Sequence, residues 1–309
     1  MVSAPRKLSF QYVRHQQPES LLSFLVRRFR YHSQAEWAER IGSGAVTLNG
    51  RLVDAACVLH TRDRIAYVPP LVPEPPVDPR FTILYEDALI LAVSKSGNIP
   101  TSPSGKYWQN CLRHVLQREL NLPALYAVHR LDRETSGVNL FAKTRDAAAS
   151  LGDAFSAGRV EKRYAAILRG QLPAAECLIQ APLRDAGAQI HIKQAVHPAG
   201  RPSRTLFRLR AVLQCACLVD AEPLTGRTHQ IRAHAAFIGL PVWGDRLYGV
   251  PESAFLDWIQ DPHRDLSKRH LLHAKELRFV HPGDGRVMCV RSDERAMVAE
   301  WGSGGSWCG

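Results

Sequence analysis

Pro69-Pro70-Leu71-Val72-Pro73-Glu74-Pro75-Pro76-Val77-Asp78-Pro79 places six prolines in one short span. Proline fixes φ and lacks an amide hydrogen, so neither a helix nor a central strand can run through this stretch. An extended polyproline spacer is the favoured form. The chain must therefore fold as two units joined by a linker. We expect a small unit over residues 1–70, a linker over 71–80, a large unit over 81–300 and a flexible Gly/Ser-rich tail over 301–309. With 309 residues, 45% hydrophobic and 22% charged, the composition is that of a globular chain with enough apolar sequence for two cores.

In the first unit, Leu21, Leu22, Leu25, Val26 and Phe29 recur at helical spacing, and Arg27, Arg28 and Arg30 cluster at the helix end. Ser33 with Glu36 predicts a capping box that opens a second helix, which stops near Gly42. Ala45-Val46-Thr47-Leu48, Asn49-Gly50 and Arg51-Leu52-Val53 read as a hairpin, because both turn residues tolerate positive φ. A strand over Ile65–Val68 follows.

The second unit opens with strands Phe81–Tyr85 and Leu89–Val93 around a turn at Glu86-Asp87. Trp108, Cys111, Leu112, Val115, Leu116 and Leu120 outline an amphipathic helix; Ala147, Leu151, Ala154 and Phe155 outline another. Strands then dominate, at Lys162–Arg169, Ala188–Lys193, Arg204–Leu213, Ala216–Ala221 and Leu271–Val280. Helices and strands do not alternate regularly, which disfavours a doubly wound parallel sheet. The expected class is α+β, a mixed, largely antiparallel sheet with peripheral helices.

Between two strand-like runs, Leu125–Val128 and Val138–Ala142, lie Asp132 and the turn formers Thr135, Ser136 and Gly137. A turn held by a rigid sheet is where functional side chains are displayed. Arg130 and Arg133 put a cation on each side of Asp132, which favours its ionised form. Such an anion serves as nucleophile, base, metal ligand or plain salt-bridge partner, and structural ion pairs outnumber catalytic ones.

The formal net charge of +11 argues for a polyanionic partner such as RNA. No apolar run reaches the roughly 18–20 residues of a membrane span, and Leu8–Gln17 is too polar for a signal-peptide core. Seven scattered cysteines predict reduced thiols in a cytoplasmic protein. Cys215-Ala216-Cys217 lacks a second pair at zinc spacing, and His270 and His273 lack further ligands, so no metal site is expected.

His129-Arg130-Leu131-Asp132-Arg133-Glu134-Thr135-Ser136-Gly137 resembles the HRLDxxTSG signature of the RluA-type pseudouridine synthases at every signature position. Val160-Glu161-Lys162-Arg163-Tyr164-Ala165-Ala166-Ile167 is similar to that family's K-x-Y strand. Leu224-Thr225-Gly226-Arg227-Thr228-His229-Gln230-Ile231-Arg232-Ala233-His234, then Gly239, Pro241, Gly244-Asp245 and Tyr248-Gly249, match it in the same order. The resemblance runs from about Phe81 to Val290. The two basic helices followed by Ile41-Gly42 and Ala45-Val46-Thr47-Leu48-Asn49-Gly50 resemble the α-L RNA-binding module; a helical cap packed on the larger unit is the competing reading.

The resemblance implies the same mixed sheet and an RNA uridine isomerase that detaches uracil, rotates it and rejoins it through carbon, with neither cofactor nor metal. It implies that Asp132 acts on the sugar or base, by attack at C1′ or by removing a ribose proton. Arg232 would pair with Asp132 from a helix over Thr228–Ile238, whose opposite face carries Ile231, Ala235 and Ile238. Tyr164 would stack on the target base and Arg130 would fill the space the base vacates. Lys162 and Arg227 would bind backbone, with Arg27, Arg28 and Arg30 doing so from the first unit. Ribosomal RNA is preferred to transfer RNA, and a monomer is expected. One departure stands out: the family's Lys-Pro-Ala/Ser-Gly is replaced by Lys95-Ser96-Gly97-Asn98-Ile99-Pro100. Two other classes remain, a non-catalytic RNA-binding or ribosome-assembly protein and a metal-dependent nuclease or hydrolase.

Overall fold

The computed structural model of the chain describes residues 8–13, 18–29, 32–69, 73–186, 190, 192–261 and 268–303. Packing divides the chain into two units, Met1–Pro73 and Glu74–Gly309. In the first, β1 (Leu8–Gln11), α1 (Leu21–Arg28), α2 (Gln34–Gly42), β2 (Val46–Leu48) and β3 (Arg64–Tyr67) surround a core that includes Tyr12, Leu21, Leu25, Trp37, Val46 and Ile65. Both bonds of the Ser33–Glu36 capping box form. Asn49 and Gly50 adopt positive φ (52° and 79°), as the hairpin requires. The expected strand over Arg51–Val53 does not form, because Arg51 only bridges Leu48 and β2 pairs with β3 instead. The Asn49 side chain decides this: its oxygen accepts the Arg64 amide at 2.8 Å and its amide donates to Asp63 at 2.8 Å. Leu52 is left exposed, while Ile65 and Tyr67 of β3 are buried.

The second unit contains β4 (Phe81–Glu86), β5 (Ile90–Lys95), α3 (Leu112–Glu119), β6 (Tyr126–Ala127), β7 (Ser136–Ala142), α4 (Arg145–Ser156) and β8 (Glu161–Arg169). Then come β9 (Glu176–Gln180), β10 (Leu183–Asp185), β11 (Gln194–Val196), β12 (Arg204–Val212), β13 (Ala216–Pro223) and α5 (Gln230–Phe237). The chain continues through α6 (Glu252–Gln260), β14 (Leu272–Val280), β15 (Val287–Arg291) and α7 (Arg295–Ser303). One large sheet has the order β4-β5-β7-β14-β8-β13-β12-β9, with β15 beside β14 and β6 beside β7. Of its pairings only β7 with β14 is parallel, so the sheet is mixed and largely antiparallel. The β10–β11 hairpin stands apart from it.

Several local expectations are corrected. The helix with Trp108 on its apolar face begins only at Leu112, because the Glu74 carboxylate accepts the amides of Trp108, Gln109 and Asn110, each at 2.8 Å. Three bonds to one carboxylate hold those residues in a turn instead. No strand forms at the described positions of Ala188–Lys193; the strands there are β10 and β11. Residues 301–303, assigned above to the tail, end α7, and 304–309 lie outside the described residues. Free thiols are found at Cys57, Cys111, Cys177, Cys217 and Cys289, whereas Cys215 is disulfide-bonded, against the expectation of reduced cysteines throughout.

Ser136 and Gly137, expected in a turn, open β7. Gly137 has φ 106°, and a Cβ there would overlap the backbone of Ala274 in β14. The parallel β7–β14 contact therefore exists only because residue 137 has no side chain. Ala274 pairs with Gly137 on one side and with Tyr164 of β8 on the other, which aligns the start of β7 with Tyr164 across the sheet. Gly137→Ala is expected to cost at least about 3 kcal/mol, combining backbone strain with overlap. Gly285→Ala, at φ 73° with nothing nearby, should cost about 1 kcal/mol. Thermal melts of the two variants check this, and equal midpoints would contradict it.

Candidate active site

Residues 128–135 link β6 to β7, and buried polar bonds hold this loop at several points. His129 Nε2 accepts the Leu140 amide at 3.0 Å, and its ring stacks on Phe155 with centroids 4.7 Å apart. Burial, with Lys162 nearby, pushes the His129 pKa down to about 3, so the ring is neutral. Thr101 Oγ1 accepts the Leu131 amide at 3.1 Å and bonds Asn139 at 2.9 Å. Thr135 Oγ1 lies 2.7 Å from His270 Nε2, and Ser136 Oγ lies 2.8 Å from His273 Nδ1. The buried Lys95 side-chain nitrogen donates to the carbonyls of Ser96, Ile99 and Arg133 at 2.8–3.0 Å. The unusual Ser96-Gly97 loop is thus tied to the Asp132 loop through Lys95. A Cβ at Gly97 would overlap the Arg269 side chain, which would have to shift.

Asp132 sits on this loop with its side chain 28% exposed. Arg232 of α5 donates from NH1 to Asp132 Oδ2 at 2.8 Å. The same guanidinium donates from Nε and NH2 to the two oxygens of Asp245, at 2.6 and 2.9 Å. Asp245 is fully buried and also accepts the amides of Leu247 and Tyr248. The Tyr248 ring lies under the Arg232 guanidinium at 5.1 Å. His229 Nε2 is 3.7 Å from Asp132 Oδ1. Burial opposes ionisation of Asp132, but facing His229, Arg232 and His270, with the Arg232 bond, outweigh it and hold the carboxyl well below its usual range. The group is an anion at neutral pH.

The sequence neighbours of Asp132 do not supply this stabilisation. Arg133 turns away to Asn98 and Glu134, at 2.9 and 2.7 Å, and Arg130 is exposed, with no ion pair among the described residues. Arg232 is buried on a shorter helix than expected, with Ile231 and Ala235 on the core-facing side. His229 has left-handed backbone (φ 53°) and precedes the helix. Tyr164 shares one face of β8 with Ala166 and Leu168, as alternation requires. Its phenol pKa is raised by burial and then by the charge of Asp132. Asp132 and Arg232, 100 positions apart, therefore meet, and Tyr164 lies near enough to feel the Asp132 charge.

The basic residues divide. Lys162 and Arg227 flank the 225–227 loop, Lys162 donating to the Thr225 carbonyl at 3.5 Å and Arg227 to that of Pro202 at 3.3 Å. Arg27 is forked onto Glu19 at 3.1 and 2.7 Å, which leaves it less available for phosphate than the sequence suggests. Arg28 is exposed beside the Phe29 ring, and Arg30 lies outside the described residues. Among the described residues no group of three His, Cys, Asp or Glu is placed to hold a metal ion, and no helix is long and apolar enough to cross a membrane. Sequence reasoning assigned no role to His229, Asp245, Tyr248 or His270. The first three lie in the matched motif, the only signal that marked them, since their roles depend on contacts made through folding.

The sequence model of the RNA pseudouridylate synthase family matches residues 89–237. The ribosomal large subunit pseudouridine synthase C of Salmonella typhimurium is 38% identical over 215 residues, 68% of this chain and 65% of that protein. The mitochondrial tRNA pseudouridine(32) synthase of Saccharomyces cerevisiae is 31% identical over 243 residues, 76% of this chain and 51% of that protein. The structure of human RNA Pseudouridylate Synthase Domain Containing 1 superposes with a TM-score of 0.56 at 27% identity, covering 71% of this chain and 86% of that one. The sheet and the site together define a pseudouridine synthase fold. The chain belongs to the RNA pseudouridylate synthase family. It spans 41–65% of the length of the first curated relatives it matches.

Burial lowers the pKa of His129 to about 3 and those of His229 and His273 to about 4. Below about pH 6.5 the unfolded chain binds protons on these imidazoles that the folded chain refuses, so the proton difference makes stability rise with pH. This contribution is complete above about pH 6.5 and is lost as the pH falls towards 4. Asp132 and Asp245, both held low, act in the same direction below about pH 4, where unfolded carboxylates protonate first. Unfolding free energy from urea melts should drop by roughly 4–5 kcal/mol between pH 6.5 and 5. A flat profile would contradict the neutral assignments.

Proposed function

We propose that this chain isomerises uridine to pseudouridine in structured RNA, with Asp132 as the acting carboxylate. The observation that carries this is the Asp132–Arg232 bond at 2.8 Å on a partly open loop, with Tyr164 near enough to feel the charge. An ionised, immobilised carboxylate meets the need of either route, attack at C1′ or removal of a ribose proton. The target uridine must leave its stack, at a cost of a few kcal/mol. Tyr164 then offers a planar apolar surface for the base, and exposed Arg130 offers a planar cation for the gap. Lys162 and Arg227 bind backbone phosphates beside the site, and Arg28 does so from the first unit, which acts as an RNA-binding module. No cofactor takes part, the working state is a monomer, and the compartment is the cytoplasm.

The substrate we favour is large-subunit ribosomal RNA, in line with the name of the 38%-identical Salmonella relative. The yeast relative, named for a tRNA position, makes transfer RNA the second reading. Pseudouridine mapping in a deletion strain separates the two. Re-expressing the wild type should restore a site in large-subunit RNA, and Asp132→Asn should not. In vitro, Asp132→Asn should slow isomerisation by about a thousandfold or more while the protein stays folded. Wild-type turnover by this variant would remove Asp132 from the chemistry.

Removing residues 1–73 should weaken RNA affinity and flatten its dependence on salt, with the single-turnover rate at saturating RNA little changed. Filter-binding titrations at several salt concentrations read this out. Unchanged affinity would deny the first unit an RNA role.

A further inference from the structure

Position 229 carries a histidine at φ 53° and ψ 17°, a left-handed backbone that is uncommon outside glycine and that Asn, Asp and His adopt more readily than other residues. This backbone places the imidazole between two functional groups. Its Nδ1 is 3.2 Å from the Tyr248 hydroxyl, and its Nε2 is 3.7 Å from Asp132 Oδ1. The Tyr248 hydroxyl accepts the Gln194 amide at 2.9 Å. Its own proton is therefore available for Nδ1, and the tautomer we assign has Nδ1 accepting it and the ring hydrogen on Nε2, facing Asp132. The other carboxylate oxygen, Oδ2, is already held by Arg232 at 2.8 Å.

We propose that His229 is a positioning residue for Asp132: its Nε2–H closes onto Oδ1 when a bound nucleotide displaces water, so that the carboxylate is held at both oxygens. The proposal rests on the pseudouridine synthase reading of this site and adds a residue to it. Hydrogen bonds that matter in catalysis are often long in the free enzyme and tighten in the substrate complex. The groups facing the ring are Asp132, Arg232, Asp245, His270 and Tyr248. Burial, opposed by Asp132, lowers the imidazole pKa to about 4, so at neutral pH the ring acts as a neutral donor and not as a second cation. Tyr248 and the Gln194 amide at the start of β11 fix the tautomer, which ties the β10–β11 hairpin to the orientation of Asp132.

The test uses the full-length protein and total RNA from a deletion strain. His229→Gly relieves the left-handed backbone, so the variant should keep its thermal midpoint while losing the ring. Its kcat should fall roughly 10- to 100-fold with KM within about threefold of wild type. Added imidazole should raise the rate of this variant, and His229→Asn, which tolerates the backbone and carries an amide donor, should recover part of it. Tyr248→Phe, which frees the tautomer, should lower kcat by a smaller factor. An active wild type with His229→Gly at full kcat overturns the positioning role, as does a loss confined to KM. A wild type that forms no pseudouridine overturns the functional reading itself, and the inference with it.

Discussion

One guanidinium organises the site. Arg232 divides its donors between two carboxylates, giving Nε and NH2 to Asp245 and NH1 to Asp132. Asp245 is fully buried and is further satisfied by two backbone amides, so it fixes the arginine and not the reverse. Burying these charges is tolerable only because each is paired and hydrogen-bonded. Removing one partner would leave an uncompensated buried charge, at a cost of about 3–5 kcal/mol. Asp132 is the exposed end of this arrangement, and its ionisation is a consequence of the anchored cation beside it.

The sheet supplies the rigidity that such an arrangement needs. Gly137 lets β7 and β14 approach in parallel, and Ala274 sets Gly137 and Tyr164 in one line across three strands. The loop before β7 then has few ways to move, because His129, Leu131 and Thr135 are each tied to a different part of the unit. Across the other face of the same sheet runs a ladder of ion pairs, Glu176–Arg208–Glu222–Arg163–Glu276–Arg291, spanning six strands. Alternation along β8 separates Arg163, which belongs to that ladder, from Lys162 and Tyr164 on either side of it. Basic side chains on the ladder face are neutralised by acids, whereas exposed Arg130, beside Asp132, has no such partner among the described residues.

Features carried by local chemistry were legible in the sequence. The Ser33–Glu36 capping box, the left-handed Asn49-Gly50 turn, and the alternation that sets Tyr164 with Ala166 and Leu168 each depend on a few adjacent residues. Errors arose where a distant group intervened. Glu74 holds residues 108–110 in a turn, Asn49 directs β2 to β3, and β14 draws Ser136 and Gly137 into a strand. The flanking arginines of Asp132 misled for the same reason. Adjacency in sequence does not set the direction of a side chain, and Arg133 faces Asn98 and Glu134.

Contiguous residues sufficed to show the mixed α+β class and the motifs bearing Asp132, Tyr164 and Arg232, because hydrophobic period, turn chemistry and motif spacing are properties of neighbours along the chain. The tertiary structure alone decided which cation ionises Asp132, and that His229, Asp245 and Tyr248 stand around it. Electrostatic interaction depends on separation and burial in space, and only the folded sheet brings residues 100 positions apart to within 2.8 Å.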